Sequence, residues 1–206
     1  MAKEGILFVS LPLVVGIVLL ILGIPFLSPV LGGVAIILAG YFAFFFRDPA
    51  RRIAAEEGEI LSPVDGTVLD IIEEDEVRRL VIFLSIFNVH VTRMPLKGTV
   101  KKMEYFEGQF LPAYREKASE LNERITLDIE SAAFGYSLRL IAGVAARRIR
   151  MWIEEGSPLG TGEKIGIIMF GSRAELFIPK SVALQVSKGQ KVKGGLTSIG
   201  KQSNPR

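Results

Sequence analysis

A stretch at residues 166–173 contains the residue types needed for a side chain to attack its own backbone. An apolar run ends at Phe170, and Gly171 and Ser172 follow it directly. Glycine has no Cβ, so the Gly171 carbonyl can be distorted at the lowest steric cost while the next hydroxyl attacks it. A Gly-Ser pair is also common in turns, so the dipeptide alone leaves a plain turn open.

Two other residues are candidates to assist the Ser172 hydroxyl. Asp65 lies in the turn sequence 62–66, where a turn-stabilising hydrogen bond is the alternative role. His90 is the only histidine of the chain. Its alternative role is structural, but an ordinary pKa of about 6.5 suits proton transfer near neutral pH. Because a Ser-His-Asp arrangement is defined by geometry and not by chain order, Asp65, His90 and Ser172 are candidate catalytic residues.

Composition removes several classes of function. The chain has 206 residues, no cysteine and one histidine, so it can form neither thiol nor multi-histidine metal sites, and we predict no metal. The net charge is only +3 and the arginines are scattered among acids. This pattern argues against nucleic-acid binding and favours a basic face near anionic lipid.

The elements that hold these residues begin with a hydrophobic hairpin. No charged residue occurs from Gly5 to Phe46, a run about twice the ~20 residues that cross a bilayer. Ser28 and Pro29 suit the start of a second helix, so we predict helices over 6–23 and 29–46. The run is too long for a signal peptide, although a hairpin that enters one leaflet without crossing stays open.

The flanks of this hairpin predict its orientation. Lys3 precedes it, and Arg47, Arg51 and Arg52 follow it, whereas the connecting turn has no positive charge. The positive-inside rule therefore places both ends and the main domain on the cytoplasmic side of the cell membrane. Arg47, Arg51 and Arg52 would then lie level with lipid phosphates, where they either orient the protein or contact head groups.

The remainder of the chain has the texture of a β protein. Short β-branched runs alternate with Gly, Pro and Asp turns, which is typical of a sandwich or barrel. The predicted strands are 58–61, 66–72, 80–84, 99–105, 125–129, 137–141, 164–170 and 174–178. Residues 142–154 form a helix or a strand. The predicted architecture is a membrane hairpin over 1–46 and a mainly β domain over 47–206, α+β overall.

Six motifs in order then indicate a family. They are 45–49 (FFRDP), 62–66 (SPVDG), 88–95 (NVHVTRMP), 117–124 (KASELNER), 141–149 (IAGVAARRI) and 170–173 (FGSR). Together they resemble the short form of phosphatidylserine decarboxylase, including its archaeal relative archaetidylserine decarboxylase. The resemblance covers residues 45 to 180, approximately, and favours cleavage between Gly171 and Ser172 over a plain turn.

The resemblance implies a self-processing, pyruvoyl-dependent decarboxylase of a serine phospholipid with an ester or ether backbone. Asp65 and His90 would activate Ser172, and cleavage would give chains 1–171 and 172–206 that stay together, with a higher oligomer possible. Residue 172 would become a pyruvoyl group, which accepts electrons as CO₂ leaves. Longer relatives have a second histidine where this chain has Arg93. An arginine is a poor base but a good partner for anions, so Arg93 is predicted to bind substrate.

Asn122 and Arg124 are also predicted to bind substrate on this resemblance, against the alternative that Asn122, Glu123 and Arg124 form a solvated loop or helix face. Two other functions are considered. A membrane-anchored lipoyl- or biotinyl-type carrier has a related barrel, but it needs an exposed lysine where Gly171, Ser172 and Arg173 stand. A membrane serine hydrolase would use Ser172, His90 and Asp65, but the chain lacks a nucleophile elbow around Ser172.

Overall fold

The computed structural model describes residues 1–109, 118–143, 148–169 and 172–202. The chain divides into two compact units, a helical unit, Met1–Ala50, and a β unit, Arg51–Arg206. The helical unit contains α1 (Gly5–Leu22) and α2 (Leu27–Phe45), as the uncharged run predicted. Both helices are long and apolar enough to cross a membrane.

The helices of this unit pack closely because small residues face each other. A Cβ built on Gly16 would lie 3.0 Å from the Gly32 carbonyl oxygen, and a Cβ on Gly32 equally close to the Gly16 oxygen. The second helix starts slightly earlier than predicted. Phe26 stands at its N-cap with φ +62°, while the Ser28 hydroxyl accepts a 2.9 Å hydrogen bond from the Ile24 N–H.

The β unit is built from strands, with the short helix α3 (Ala118–Leu121) between the fifth and sixth of them. Its described strands are β1 (Glu59–Leu61), β2 (Gly66–Glu73), β3 (Val77–Leu84), β4 (Val91–Arg93), β5 (Gly98–Phe106), β6 (Arg124–Glu130), β7 (Gly135–Ala142), β8 (Ile149–Met151), β9 (Pro158–Leu159), β10 (Lys164–Ile168), β11 (Ser172–Pro179), β12 (Val182–Leu184), β13 (Lys191–Val192) and β14 (Ser198–Gln202).

These strands form three antiparallel sheets. The largest has the order β13-β2-β3-β11-β7-β6-β5-β9, and two smaller ones have the orders β4-β10-β8 and β1-β14-β12. The predicted class, mainly β with a helical hairpin, is confirmed, and the described sheets are open and do not close into a barrel. For residues 142–154 the sequence predicts either a helix or a strand. Strand β8 lies in this range, so the strand is correct there; residues 144–147 lie outside the described part.

The core lies against one face of the eight-stranded sheet. Along β11, Ala174, Leu176 and Ile178 point into it, as the two-residue period of a strand requires. Leu176 pairs with Leu80 on one side and Leu138 on the other, and these side chains are fully buried. Burial of such large apolar side chains, about 1.5–3 kcal/mol each, fixes the register of the central strands.

The register brings five strand ends to one edge of this sheet. Ser172, the first residue of β11, pairs with Leu84 at the end of β3 and with Ala142 at the end of β7. Arg124 at the start of β6 pairs with Phe106, the last residue of β5. We call this boundary, from Leu84 to Phe106, the Ser172 edge. Loops that leave it are where functional side chains can gather.

Candidate active site

Ser172 lies on the second of the five strands that form the Ser172 edge, and its side chain is fully buried. By strand alternation it faces the same side as Ala174 and Leu176. Its Oγ has no hydrogen-bond partner in the described part of the chain. A buried hydroxyl without a partner costs roughly 1–3 kcal/mol, which a purely structural serine would not be expected to carry. Gly171 and Phe170 lie outside the described residues.

His90 is held beside the strand that leads towards Ser172. Its backbone oxygen accepts a 3.2 Å hydrogen bond from the N–H of Ile168, the last residue of β10. The ring is fully buried, and Nδ1 lies 2.9 Å from the Asn88 carbonyl oxygen. Because a carbonyl oxygen only accepts, Nδ1 carries the proton. In the neutral ring Nε2 then has the lone pair that a general base needs.

Asp65 reaches the same edge, because it precedes β2, whose Thr67 pairs with Phe83 near the end of β3. Its carboxylate is 2.6 and 2.9 Å from the two terminal nitrogens of Arg51, and it accepts a 2.8 Å hydrogen bond from the Gly194 N–H. The hydrogen bonds of Asp65 therefore go to Arg51 and Gly194, and not to His90 or Ser172.

Arg51 is the residue here that sequence reasoning missed. The sequence predicts that Arg51 lies with Arg47 and Arg52 level with lipid phosphates, but its side chain is only 6% exposed and forms a fork with Asp65. It also donates to the Gly194 carbonyl oxygen. A basic residue after a hydrophobic helix gives no sign of a partner fourteen positions away, so only the fold identifies this pair.

Arg93 is buried beside Gly195, the residue that follows Gly194. Its Nη1 donates to the Gly162 carbonyl oxygen at 2.9 Å, and its backbone N–H donates to Pro63 at 2.8 Å. Gly195 has φ +71°, and a Cβ there would lie 2.8 Å from Arg93 Cδ, so the arginine stem packs on a glycine. The guanidinium is thus fixed near the turn that carries Asp65.

The polar segment at residues 122–124 is not a solvated loop. Asn122 is fully buried, and its Nδ2 donates to the Ala142 carbonyl oxygen at 2.6 Å. The Ala142 N–H in turn donates to the Glu123 carbonyl oxygen at 2.9 Å. Since Ala142 pairs directly with Ser172, these two residues fix the strand end beside the candidate nucleophile.

Glu123 is a buried acid next to this strand end, 6% exposed. Burial raises the pKa of its carboxyl, while a hydrogen bond from the Ile149 backbone and the charge of Arg148 act in the opposite direction on that pKa. Ile149 pairs with Ile168, so the carboxyl lies close to the chain that leads towards residue 172. Arg124, by contrast, is partly exposed, with its guanidinium 4.3 Å from the centre of the Phe106 ring.

A second buried carboxylate lies on the opposite face of β11. Glu175 is fully buried, with Arg173 Nε at 3.2 Å, Arg139 Nη1 at 3.4 Å and Arg79 Nη1 at 3.8 Å. Arg139 is on β7 and Arg79 on β3, the two strands that flank β11. The cluster therefore holds the central strand to both neighbours by charge in addition to the hydrogen-bond ladder.

Comparisons with known proteins cover most of the chain, and they agree with one another on the family that it resembles. A family model described as phosphatidylserine decarboxylase matches residues 38–200. The phosphatidylserine decarboxylase proenzyme of Carboxydothermus hydrogenoformans is 42% identical over 179 residues, covering 83% of this chain and 84% of its own. The proenzymes of Ehrlichia chaffeensis and Streptomyces coelicolor are 39% and 42% identical, over 96% and 79% of this chain and 89% and 73% of their own.

Proposed function

Because the chain belongs to the phosphatidylserine decarboxylase family, we propose that it cleaves its own Gly171–Ser172 bond and then removes CO₂ from the serine head group of phosphatidylserine. The reaction makes it a carboxy-lyase that acts on a membrane lipid. The relatives compared above are all proenzymes of this kind, so neither the carrier module nor the serine hydrolase is favoured.

The observation that carries this proposal is the buried Ser172 hydroxyl without a partner in the described residues. In the proposed cleavage, Oγ attacks the Gly171 carbonyl carbon and the C–N bond breaks, so the amide becomes an ester and the nitrogen takes up the proton. Loss of the α-proton of residue 172 then breaks the Cβ–Oγ bond and frees residues 1–171 as a carboxylate. Water replaces the nitrogen of the remaining dehydroalanine, and ammonia leaves.

The resulting pyruvoyl group at residue 172 would supply a carbonyl that withdraws electrons as CO₂ departs. The other steps belong to the residues around it. With Nδ1 hydrogen-bonded to the Asn88 carbonyl oxygen, Nε2 of a neutral His90 ring is the proposed base for Ser172, and after it has taken up a proton it is the proposed donor of the proton that replaces CO₂. Asp65 holds its turn through Arg51 and Gly194, and so acts on the site by positioning the backbone.

The three residues predicted to bind substrate differ in burial, so we propose different roles for them. Arg124 is partly exposed at the Ser172 edge, which suits a contact with the lipid phosphate. Arg93 is 5% exposed and anchored to Gly162, so it would bind an anion only at the inner end of the site. Asn122 donates to Ala142 and is proposed to keep the end of β7 in place beside residue 172.

The two helices of the first unit fit a membrane-associated enzyme. We propose that they form a hairpin that crosses the cell membrane, with both ends and the domain over 47–206 on the cytoplasmic side. The two chains 1–171 and 172–206 would remain one heterodimeric unit. A lipid substrate confined to the bilayer would then be found by diffusion in two dimensions.

A denaturing gel and intact-mass measurement of the purified protein test this function. We expect two chains, with the smaller one lighter than unmodified residues 172–206 by one ammonia, because the serine nitrogen is lost. Ser172→Ala should remain one chain and release no CO₂ from phosphatidylserine. Ser137→Ala, a change on β7 away from the Ser172 edge, should be cut normally. An intact, unmodified wild-type chain with full activity would falsify the proposal.

A further inference from the structure

The large apolar side chains exposed on the β unit are not scattered over its surface. Seven are exposed in its described part, and five of them lie at or just beyond strand ends of the Ser172 edge. We call these five the apolar rim: Ile86, Phe87, Tyr105, Phe106 and Leu121. Single exposed apolar residues are normal, but a concentration at one edge indicates a contact surface.

The strand register explains how residues distant in sequence share this edge. Ile86 and Phe87 follow Leu84, the end of β3, whereas Tyr105 and Phe106 end β5. Leu121 ends α3, and its carbonyl accepts a hydrogen bond from the Gln109 N–H, which ties it to the segment after β5. Four strand spacings separate β3 from β5, so the rim extends across about 19 Å, with Ser172 between its ends.

The chemistry of the proposed substrate identifies what the rim contacts. A phospholipid keeps its acyl chains in the bilayer, while its head group must reach a residue that is buried at this edge. The protein surface around that edge must therefore face the lipid. Phe87 is 65% exposed and Tyr105 55% exposed, which gives aromatic side chains suited to the membrane interface.

We propose that the apolar rim is a surface by which the β unit itself docks on the phospholipid bilayer, so that Ser172 opens towards the lipid head groups. This inference rests on the function proposed above. The helical hairpin anchors the chain, whereas the rim sets which side of the β unit faces the membrane.

The charges near the rim show which force dominates this docking. Among the described residues, Glu107 and Glu120 are exposed there, Arg124 provides a positive charge over the Phe106 ring, and the exposed Arg148 lies near Glu123. Charges of both signs cancel most of the attraction to anionic lipid, so apolar insertion is the main contribution. Docking should accordingly change little when salt is raised, unlike the binding of a basic patch.

Quenching of tryptophan fluorescence by brominated lipids tests the surface directly. Trp152 is the only tryptophan, so the full chain with Trp152→Phe, reconstituted in vesicles, has no tryptophan fluorescence of its own. In this background Phe87→Trp or Tyr105→Trp should be quenched strongly by bromine on the upper acyl chain, at low and high salt alike. Phe134→Trp, in the turn between β6 and β7 at the opposite edge, is the matched control and should not be quenched.

Two results would overturn the proposal: no quenching at positions 87 and 105, as for a domain merely tethered by its hairpin, or equal quenching at 87, 105 and 134. An activity ratio provides the second measurement. The double change Ile86→Ser and Phe87→Ser should lower decarboxylation of vesicle-bound phosphatidylserine on the order of tenfold more than that of a short-chain, dispersed form. Trp152→Ser, exposed but off the rim, should leave the ratio unchanged.

The two proposals fail in different ways. If the wild-type protein is not cut and releases no CO₂ from either form of lipid, the proposed function is wrong whatever the quenching shows. If it is cut and active but the rim substitutions leave both the quenching pattern and the activity ratio as in the control, the function stands and the docking surface is wrong.

Discussion

The Arg51–Asp65 pair provides the most direct test of how the site is held. Both side chains are buried, 6% and 12% exposed, and the two contacts of 2.6 and 2.9 Å form a bidentate fork. Replacing Arg51 by Met keeps the apolar stem but leaves the Asp65 carboxylate buried, with the Gly194 N–H as its one remaining donor among the described residues. Breaking a buried pair in this way costs about 3–5 kcal/mol.

That cost is a large fraction of the ~5–15 kcal/mol that stabilises a typical domain. It should be measured by urea unfolding in detergent, in a Ser172→Ala background, so that a single uncut chain unfolds. Asp65→Asn and the double variant complete a double-mutant cycle. Because the two groups contact each other and share Gly194, we expect a coupling free energy of at least about 2 kcal/mol. Arg51→Lys keeps the charge without the fork and should lose less.

The reasoning would be refuted if Arg51→Met lowers the free energy of unfolding by less than about 1 kcal/mol. It would also be refuted if the losses of the two single variants add up to that of the double variant within about 0.5 kcal/mol. Either result would mean that the turn at residues 62–66 is held by other contacts. The same variants in the Ser172 background report on function. If Asp65 acts by positioning its turn, Arg51→Met and Asp65→Asn should slow self-cleavage alike, and Arg51→Lys should restore part of the rate.

Two further substitutions test individual buried groups by unfolding in the same Ser172→Ala background. Burial raises the pKa of Glu123, so above about pH 4.5 the native carboxyl holds its proton longer than the unfolded one, and stability falls as pH rises through the native pKa. Glu123→Gln removes this loss; its stability relative to the parent should increase from about pH 4 to about pH 8, and a pH-independent difference would contradict the assignment. Tyr136→Phe breaks a 2.5 Å hydrogen bond to the buried Leu96 carbonyl, which should cost about 1–2 kcal/mol. Because Tyr136 lies at the far end of β7, self-cleavage in the Ser172 form should be unchanged, and slower cleavage would show that the two ends are coupled.

Much of the β unit was predictable because its signal is local. The two-residue alternation of β11, with small or apolar Ala174, Leu176 and Ile178 on one side, identifies a half-buried strand without any partner. The hydrophobic hairpin is equally local. The placement of β11 between β3 and β7 is not, since it depends on contacts between residues about 30 to 100 positions apart in the sequence.

The candidate site likewise contains some residues that the sequence identifies and others that only the tertiary structure identifies. Ser172 and His90 stand out by residue type; in the structure His90 is hydrogen-bonded to Ile168 at the end of β10, and Ser172 begins β11. Asn122 and Glu123 do not stand out, because polar residues in a polar segment predict exposure, and only tertiary packing against Ala142 buries them. The apolar rim likewise appears only when the register of five strands is known.

The central place of β11 would let the chain keep its structure after the proposed cut next to Ser172. The proposed cut falls before the first residue of the strand, so the ladder itself is left intact, with eight residue pairs to β3 and six to β7. Glu175 adds charge contacts to Arg79 and Arg139, which belong to the other proposed chain. A strand on the outside of the sheet, with a neighbour on one side only, would fray after cleavage, whereas a strand paired on both sides keeps its new terminus fixed. Residue 172 would therefore remain beside Ala142, which Asn122 and Glu123 hold in place, and the proposed cleavage would not release the group that it creates from the site.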